Sequence, residues 1–303
     1  MGRKIRLLAI DSKIPNYAIM KISAYHRKLG DDVDWYNPLF DLDTDILYIS
    51  KIFTFTKDIK YLPINAKIIK GGSGYSLKTK LSEEIENIKD LDYSLYPNCD
   101  YSLVFASRGC IRKCKFCVVP DKEGLIHNVD LPKVNKIGKY IKILDNNFFA
   151  NPNWRNQLKT LKSYNQPLEF NQGIDLRILN QEQCRALETC KIKEIKCAWD
   201  NYRDKDIIIP KLQMLLKYIK PYKIVVYVLV GFENKNIVET DVERVMILKK
   251  MGVRPYAMAY VDFNDPNYLV SQDVKDFCRW VNMRACFMSC DWNEYKYNKG
   301  ANM

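Results

Sequence analysis

Short apolar runs and longer amphipathic runs alternate along almost the whole 303-residue chain, and this alternation limits its fold more than any other feature. Apolar runs of roughly four to eight residues bounded by turn signals read as buried strands, and longer runs with a period of about 3.6 residues read as helices. Strands that alternate with helices imply an α/β fold in which parallel strands are covered by helices. No internal repeat and no low-complexity segment interrupts the pattern.

The series divides in two. In the first part Lys4–Ile10 reads as a strand, Pro15 opens a helix to Leu29, and Gly30 stops it. Asp32–Tyr36, Asp45–Ser50 and Ala66–Lys70 read as further strands. This is the pattern of a small Rossmann-like unit. Its last strand runs into Gly71-Gly72-Ser73-Gly74, which permits close backbone approach but lacks the spacing of a dinucleotide fingerprint. The stretch Leu81 to Asp100, with Pro97 inside it, has no period and reads as a connector. The expected division is therefore a Rossmann-like domain over residues 1–95 and a second domain over 96–303.

In the second part the strands are Tyr101–Ala106, Lys139–Leu144, Leu168–Asn171, Glu194–Ala198, Lys223–Val230 and Tyr256–Val261. Helical patterns cover Asn153–Ser163, Asn180–Thr189, Lys205–Ile219, Ile237–Met251 and Ser271–Arg284. Six strands are too few for a closed eightfold barrel and suit an open, partial (β/α)6 barrel. In such barrels chemistry gathers at the C-terminal strand ends.

A cysteine loop follows the first strand of this second series: Ser107-Arg-Gly-Cys110-Ile-Arg-Lys-Cys114-Lys-Phe116-Cys117-Val-Val-Pro120. Thiolates are soft ligands that favour iron–sulfur clusters or zinc. A 4Fe–4S cluster ordinarily takes four cysteines, so Cys110, Cys114 and Cys117 would leave one iron without a protein ligand. Arg108, Arg112, Lys113 and Lys115 surround them with positive charge, which favours thiolates. Zinc, the alternative, wants a closed set of four ligands. Cys99 and His127, the nearest other candidates, give no familiar zinc spacing with the triplet. Cys278, Cys286 and Cys290 could hold an auxiliary cluster but read better as core residues, and Cys184, Cys190 and Cys197 have no assigned role.

The net charge of +12 is compatible with nucleic acid, an anionic cofactor or an acidic protein partner, although no block of like charge forms a binding tail. A second class of function therefore stays open: a cluster- or zinc-holding protein that binds nucleic acid. No run of about 18 apolar residues is present, so no membrane helix is expected. The basic and then apolar N-terminus stops at Asp11, too short for a signal peptide, and a cytoplasmic location is expected.

The loop, with its aromatic Phe116 just before the third cysteine, resembles the signature of the radical S-adenosylmethionine (SAM) superfamily. The wider run from Arg108 through Pro120 to Gly124 resembles the branch containing methylthiotransferases and cobalamin-domain radical enzymes. The likeness extends from Tyr101 to Met283, with the triplet as its one highly specific motif. It implies a 4Fe–4S cluster on Cys110, Cys114 and Cys117, with SAM chelated at the open iron. It also implies an electron from a donor such as a flavodoxin or ferredoxin, and a 5′-deoxyadenosyl radical that attacks an RNA, peptide or metabolite. Strand-end residues would then contact SAM: Phe116 beside the cluster, Asn146 and Asn147 near the amino group, and Gln172, Asp175 and Arg177 after the third strand. Arg177 would pair with the carboxylate, Asp200 would accept from ribose hydroxyls, and Val230 and Gly231 would line the adenine. Asp and Asn at such positions also serve as plain caps and turns. The first cysteine is Cys99, so the additional cluster of methylthiotransferases is not expected. Asp11-Ser-Lys-Ile-Pro-Asn16 stands where cobalamin domains carry Asp-x-His-x-x-Gly, and without that His cobalamin is not expected.

Overall fold

The computed structural model describes residues 2–12, 14–262, 265 and 267–300, with side chains as far as 296. Lys13, inside the loop 11–16, lies outside the described residues.

Strands β1 (Lys4–Ala9), β2 (Asp32–Trp35), β3 (Ile46–Ser50) and β4 (Lys67–Gly71) form a parallel sheet in the order β2-β1-β3-β4. That is an order found in doubly wound folds. Helix α1 (Tyr17–Lys28) crosses over from β1 to β2, and the Asn16 side chain caps it by accepting the Ile19 N–H at 3.2 Å. Ile5 and Leu7 of β1 are fully buried with Ile19 and Ile22 of α1. Arg6, between them, points to the opposite face by strand alternation. There its guanidinium donates to Asp41 at 2.7 Å and Asp32 at 3.0 Å. The segments that follow β2 and β3 are loops, as the sequence, with no helical run between those strands, implies. The connector is not slack. Helix α2 (Glu83–Glu86) and a turn at Tyr93–Leu95 bury Ile85 and Leu95 in the first core. Asp92 accepts from Ser23 Oγ at 2.6 Å and Arg27 Nε at 2.8 Å.

The second sheet begins at β5 (Tyr101–Val104). A small antiparallel pair, β6 (Ser107–Arg108) and β7 (His127–Asn128), brackets the cysteine loop and helix α3 (Val119–Glu123). Then come β8 (Tyr140–Ile143), α4 (Trp154–Ser163), β9 (Leu168–Ile174), α5 (Gln181–Glu188), β10 (Ile192–Ala198) and α6 (Lys205–Leu216). They continue with β11 (Ile224–Val230), α7 (Glu239–Lys250), β12 (Arg254–Ala259), α8 (Gln272–Asn282), α9 (Arg284–Ser289) and α10 (Trp292–Gly300). The six long strands are all parallel and stand in the order β12-β11-β10-β9-β8-β5. One face buries Ile143, Phe170, Ile195, Val226 and Val228 in a single core with side chains of the helices. The other face carries Tyr101, Lys142, Glu169, Lys196 and Tyr227. Glu169, nearly buried, accepts from Lys193 at 2.7 Å and Lys196 at 3.3 Å. β5 and β12 are not paired, and this face is polar but mostly buried, with the Lys142 and Lys196 side chains 16% and 15% exposed around Glu169.

The sheets meet through α1, whose Met20 packs with Leu91 and Leu103, and Tyr17 lies edge-on to Phe105 at 5.0 Å. Cys278, Cys286 and Cys290 pack against the main core. His26 is satisfied between Asp31 at 2.7 Å and the Tyr48 hydroxyl at 3.0 Å. Among the described residues no helix is long and apolar enough to cross a membrane.

Arg6 and Asp41 are 7% and 6% exposed, so removing one strands the other as a buried charge. Arg6→Ala is expected to lower stability by about 3 kcal/mol in urea denaturation, while Arg6→Met with Asp41→Leu recovers most of it.

Candidate metal centre

The cysteine loop leaves the sheet after β5 and returns through α3 to β7. Its entry depends on Gly109, whose φ is +79° and whose Cβ, if it had one, would lie 2.3 Å from the Leu125 carbonyl oxygen. Only glycine satisfies both conditions. The Cys110 N–H donates to the Gly124 carbonyl at 3.2 Å, closing the loop, and the Cys117 N–H donates to the Cys114 carbonyl at 3.0 Å.

Two carboxylates anchor this loop to the neighbouring strand end. Glu123 accepts from Arg108 at 2.8 Å, from the Gly109 N–H at 2.9 Å and from Asn146 Nδ2 at 2.8 Å. Burial pushes its carboxyl up, but Arg108 and the Gly109 N–H outweigh burial and hold it below the usual carboxylate range. Asp145, just past β8, accepts from the Ala106 N–H at 2.7 Å and Ser107 Oγ at 2.5 Å. Here burial wins and pushes the carboxyl up to about 6.

Side chains alternate along the loop. Ile111, Lys113 and Lys115 are exposed, while Cys110, Arg112, Cys114 and Phe116 between them are turned inward and half-buried. Cys110 Sγ lies 3.8 Å from Asn147 Nδ2 and 3.4 Å from the Arg112 backbone N. Asn147 is 1% exposed and its Oδ1 has no partner among the described residues. Burial raises the Cys114 and Cys117 thiols, while the Arg177 guanidinium opposes the rise at Cys114. Deprotonating them therefore calls for a bound cation. Among the described residues no three His, Cys, Asp or Glu side chains converge as ligands of one metal ion.

The strand-end residues separate into groups. Asp175 caps the turn Leu176–Ile178 and accepts from Arg112 Nε and Arg177 Nε, both at 2.8 Å. It thus serves as the expected cap and as a clamp on two guanidiniums. Arg177 reaches Asp204 at 3.3 Å with another nitrogen. On the far side, Phe116 meets Phe232 edge-on at 5.5 Å, and a cleft opens between Phe116, Asp200, Gly231, Phe232 and Arg244. Burial pushes Asp200 up to about 6. Asn146 is engaged by Glu123. Gln172 lies within β9, which runs on to Ile174, and is exposed. The Val230 side chain is in the core at 1% exposure, and its carbonyl accepts the Tyr260 N–H at 2.8 Å, so it offers this cleft no side chain.

Three contributors were not legible as site residues. Glu123 signals itself only by preceding Gly124, and its partners lie on separate segments. Phe232 follows Gly231 but its ring pairing with Phe116 is a tertiary fact. Arg244 left a trace: with Asp241, Val245 and Leu248 it shares the buried face of α7, where a charge needs a reason. It donates to the carbonyls of Trp199 at 2.8 Å, Asp200 at 2.9 Å and Leu229 at 2.9 Å, knitting the ends of β10 and β11.

Asp145 titrates higher in the fold than its ordinary 3.8, so its ionisation opposes folding, and its contribution weakens as pH rises from 3.8 to about 6. Asp145→Asn keeps an acceptor for Ala106 and a polar partner for Ser107. It is expected to stabilise the protein by about 1 kcal/mol at neutral pH and to flatten that fall, as thermal denaturation across the pH range checks.

No family model matches the chain, and no curated protein matches it in sequence. Among solved structures, the radical SAM methyltransferase TsrM from Kitasatospora setae, with cobalamin and a [4Fe–4S] cluster bound, shares the fold. The match covers 86% of this chain and 75% of that one, with a TM-score of 0.61 at 11% sequence identity. At that identity the likeness is one of fold.

Proposed function

We propose that this chain is a radical SAM enzyme, with a Rossmann-like domain over residues 1–95 and a partial (β/α)6 barrel over 96–303. The observation that carries the reading is the inward-facing triplet Cys110, Cys114 and Cys117 at the C-terminal edge of a parallel sheet, beside the partnerless Oδ1 of Asn147. These residues fit a 4Fe–4S cluster with one open iron: three soft ligands are present, and a buried acceptor next to them awaits a donor. When bound, the cluster would supply the electron for reductive cleavage of SAM.

The chain's own residues bind and orient. Asn147 Oδ1 accepts from the SAM amino group. Arg177, held by Asp175, offers N–H groups to the carboxylate, as guanidinium geometry favours. Asp200, ionised above about pH 6, accepts from the ribose hydroxyls. Phe116 and Phe232 flank the cleft and exclude water, and the Gly231 backbone borders the adenine. A single zinc ion is the competing occupant. It would need three thiolates within roughly 4 Å of one another. It would also need a fourth ligand to close its set, and neither Cys99 nor His127 stands at a familiar zinc spacing from the triplet.

TsrM holds cobalamin. For this chain the reading is different. The Asp11 carboxylate is taken up by the N–H groups of Ile52 and Phe53, both at 2.9 Å, and Asn16 serves α1 as its cap. The loop 11–16 supplies no imidazole ligand to cobalt.

Protein reconstituted without oxygen and given a reductant and SAM is expected to release 5′-deoxyadenosine, and Cys→Ala at any of the three positions is expected to abolish it. A loaded cluster that cleaves no SAM contradicts the proposal. Protonating Asp200 removes an acceptor, so SAM affinity falls as pH drops through about 6. Asp200→Asn is expected to weaken SAM roughly tenfold and to remove that pH dependence, read by titration. Incubation with cobalamin followed by gel filtration is expected to leave the protein colourless at cobalamin wavelengths, and stoichiometric retention contradicts the reading of the first domain.

A further inference from the structure

The six segments that lead into the strands of the second sheet carry most of the chain's net charge. They are residues 96–100, 132–139, 162–167, 188–193, 217–223 and 249–254, each ending at the start of a strand. Together they hold twelve Lys and Arg against two carboxylates, Asp100 and Glu188, in a chain whose net charge is +12. The six strands are parallel, so these segments share one end of the sheet, the end away from the cysteine loop. Contacts join them into one rim. The Lys139 N–H donates to the Asp100 carbonyl at 2.6 Å, the Ile141 N–H to Pro167 at 2.9 Å and the Leu168 N–H to Lys191 at 2.7 Å. Lys223 Nζ donates to the Ile192 carbonyl at 2.6 Å, and the Pro221 ring lies 3.6 Å from where a Cβ on Gly252 would stand.

Ten of the twelve cations are exposed. Some are taken: Lys191 donates to the Asn165 carbonyl at 3.4 Å, and Arg254 pairs with Glu194 at 2.7 Å. Lys136, Lys162, Lys217, Lys220 and Lys250 are exposed and have no carboxylate or carbonyl partner among the described residues. Helix ends account for part of this charge. Lys162, Lys217 and Lys250 stand at the C-terminal ends of α4, α6 and α7, where a cation complements the helix dipole. Lys136 and Lys220 have no such reason, since β7 and not a helix precedes Lys136, and Lys220 lies beyond the end of α6. Tyr222, 71% exposed, stands between Lys220 and Lys223, and Ile137, 65% exposed, between Lys136 and Lys139.

We propose that this rim binds single-stranded RNA, holding its phosphates with lysines and stacking a base on Tyr222. The inference goes beyond the radical SAM reading and does not rest on it, because the rim and the cysteine loop lie at opposite ends of the sheet. Like charges gathered this densely repel one another and work against the compact state, and a bound polyanion removes that cost. Six strands about 4.8 Å apart extend the rim over ~24 Å, close to the rise of about seven nucleotides in a stacked strand. The partnerless lysines stand in front of four different strands, β8, β9, β11 and β12, so they are spread along the rim and suit a repeating chain of phosphates. An exposed aromatic side chain between cations adds the sequence-tolerant stacking by which single strands are held. Bases free to stack in this way are those of RNA loops, bulges and ends.

The test is fluorescence anisotropy of a labelled oligouridine of about 12 nucleotides, titrated with the full chain prepared without oxygen, from about 0.05 to 0.3 M salt. The wild-type protein is expected to bind, with the logarithm of its affinity falling against the logarithm of salt concentration. Lys136→Gln with Lys217→Gln and Lys220→Gln is expected to weaken binding roughly tenfold and to make that slope shallower by about 2, at about 0.7 for each phosphate no longer neutralised. Tyr222→Ala is expected to weaken binding several-fold with the slope intact. Lys57→Gln with Lys60→Gln and Lys80→Gln removes the same charge from exposed positions of the first domain and is expected to change neither. The proposal is overturned if the wild-type protein does not bind the strand, if the Lys57, Lys60 and Lys80 variant is weakened equally, or if Tyr222→Ala binds like the wild type. A deoxyuridine strand that binds more tightly than the uridine strand overturns the assignment to RNA. Displacement of the strand by phosphatidylserine vesicles or polyglutamate at equal charge overturns it in favour of a membrane or an acidic protein. No readout here involves SAM cleavage, so a failure of the enzyme reading leaves these outcomes untouched.

Discussion

The buried carboxylate of Glu123 holds the functional end of this molecule together. Three donors from three places converge on it: the Arg108 guanidinium, the Gly109 N–H and the Asn146 amide. A loop rich in cations and thiols has no apolar core of its own, and backbone fixing costs roughly 1–2 kcal/mol per residue. One charge-assisted node that joins the loop's entry, its exit and the end of β8 offsets part of that cost. Asp145 repeats the device one layer deeper, through Ala106 and Ser107, but with burial dominant. The two carboxylates titrate in opposite directions. Only Glu123 has a cation in contact.

The same contrast organises the second sheet. Its helix-covered face is apolar, with Phe170, Ile195 and Val226 buried at 1% exposure or less. Its other face is polar and carries lysines paired to the buried Glu169. At the C-terminal edge of this sheet Arg244 donates to three carbonyls, fixing β10 against β11, where Asp200 and Gly231 border the cleft. Asp200 gains no cation in direct contact, and burial pushes its carboxyl up to about 6.

Much of the fold was legible because periodicity is local. The strands and the main helices lie within a few residues of the expected spans, since Ile5, Leu7 and the run Ile224–Val230 announce burial by their spacing. What failed to show was whatever depends on contact across the chain. The loop after β2 is pinned by Arg6 and Asp41, a pair separated by 35 positions, and the loop after β3 by Lys51 on Asp58. The connector looked aperiodic because its buried residues, Ile85, Leu91 and Leu95, are spaced for packing on α1 and not for any one regular element. At the site, the spacing of the cysteines and the place of Asn147 and Asp200 after strands are visible in the sequence, and what they bind is proposed. Gln172 and Val230 were expected there by the same rule; the structure places Gln172 within the longer β9 and the Val230 side chain in the core. Glu123 and Arg244 were hidden because their value lies in partners that no spacing reveals.

The central claim is that Cys110, Cys114 and Cys117 hold a cluster whose remaining iron takes SAM. The most direct measurement is the electron paramagnetic resonance spectrum of the anaerobically reconstituted and reduced protein, recorded with and without SAM beside iron, sulfide and zinc analysis. The account predicts about four irons and four sulfides per chain, and a spectrum that changes on adding SAM. One zinc per chain with no sulfide, or a cluster signal that SAM leaves untouched, would contradict it.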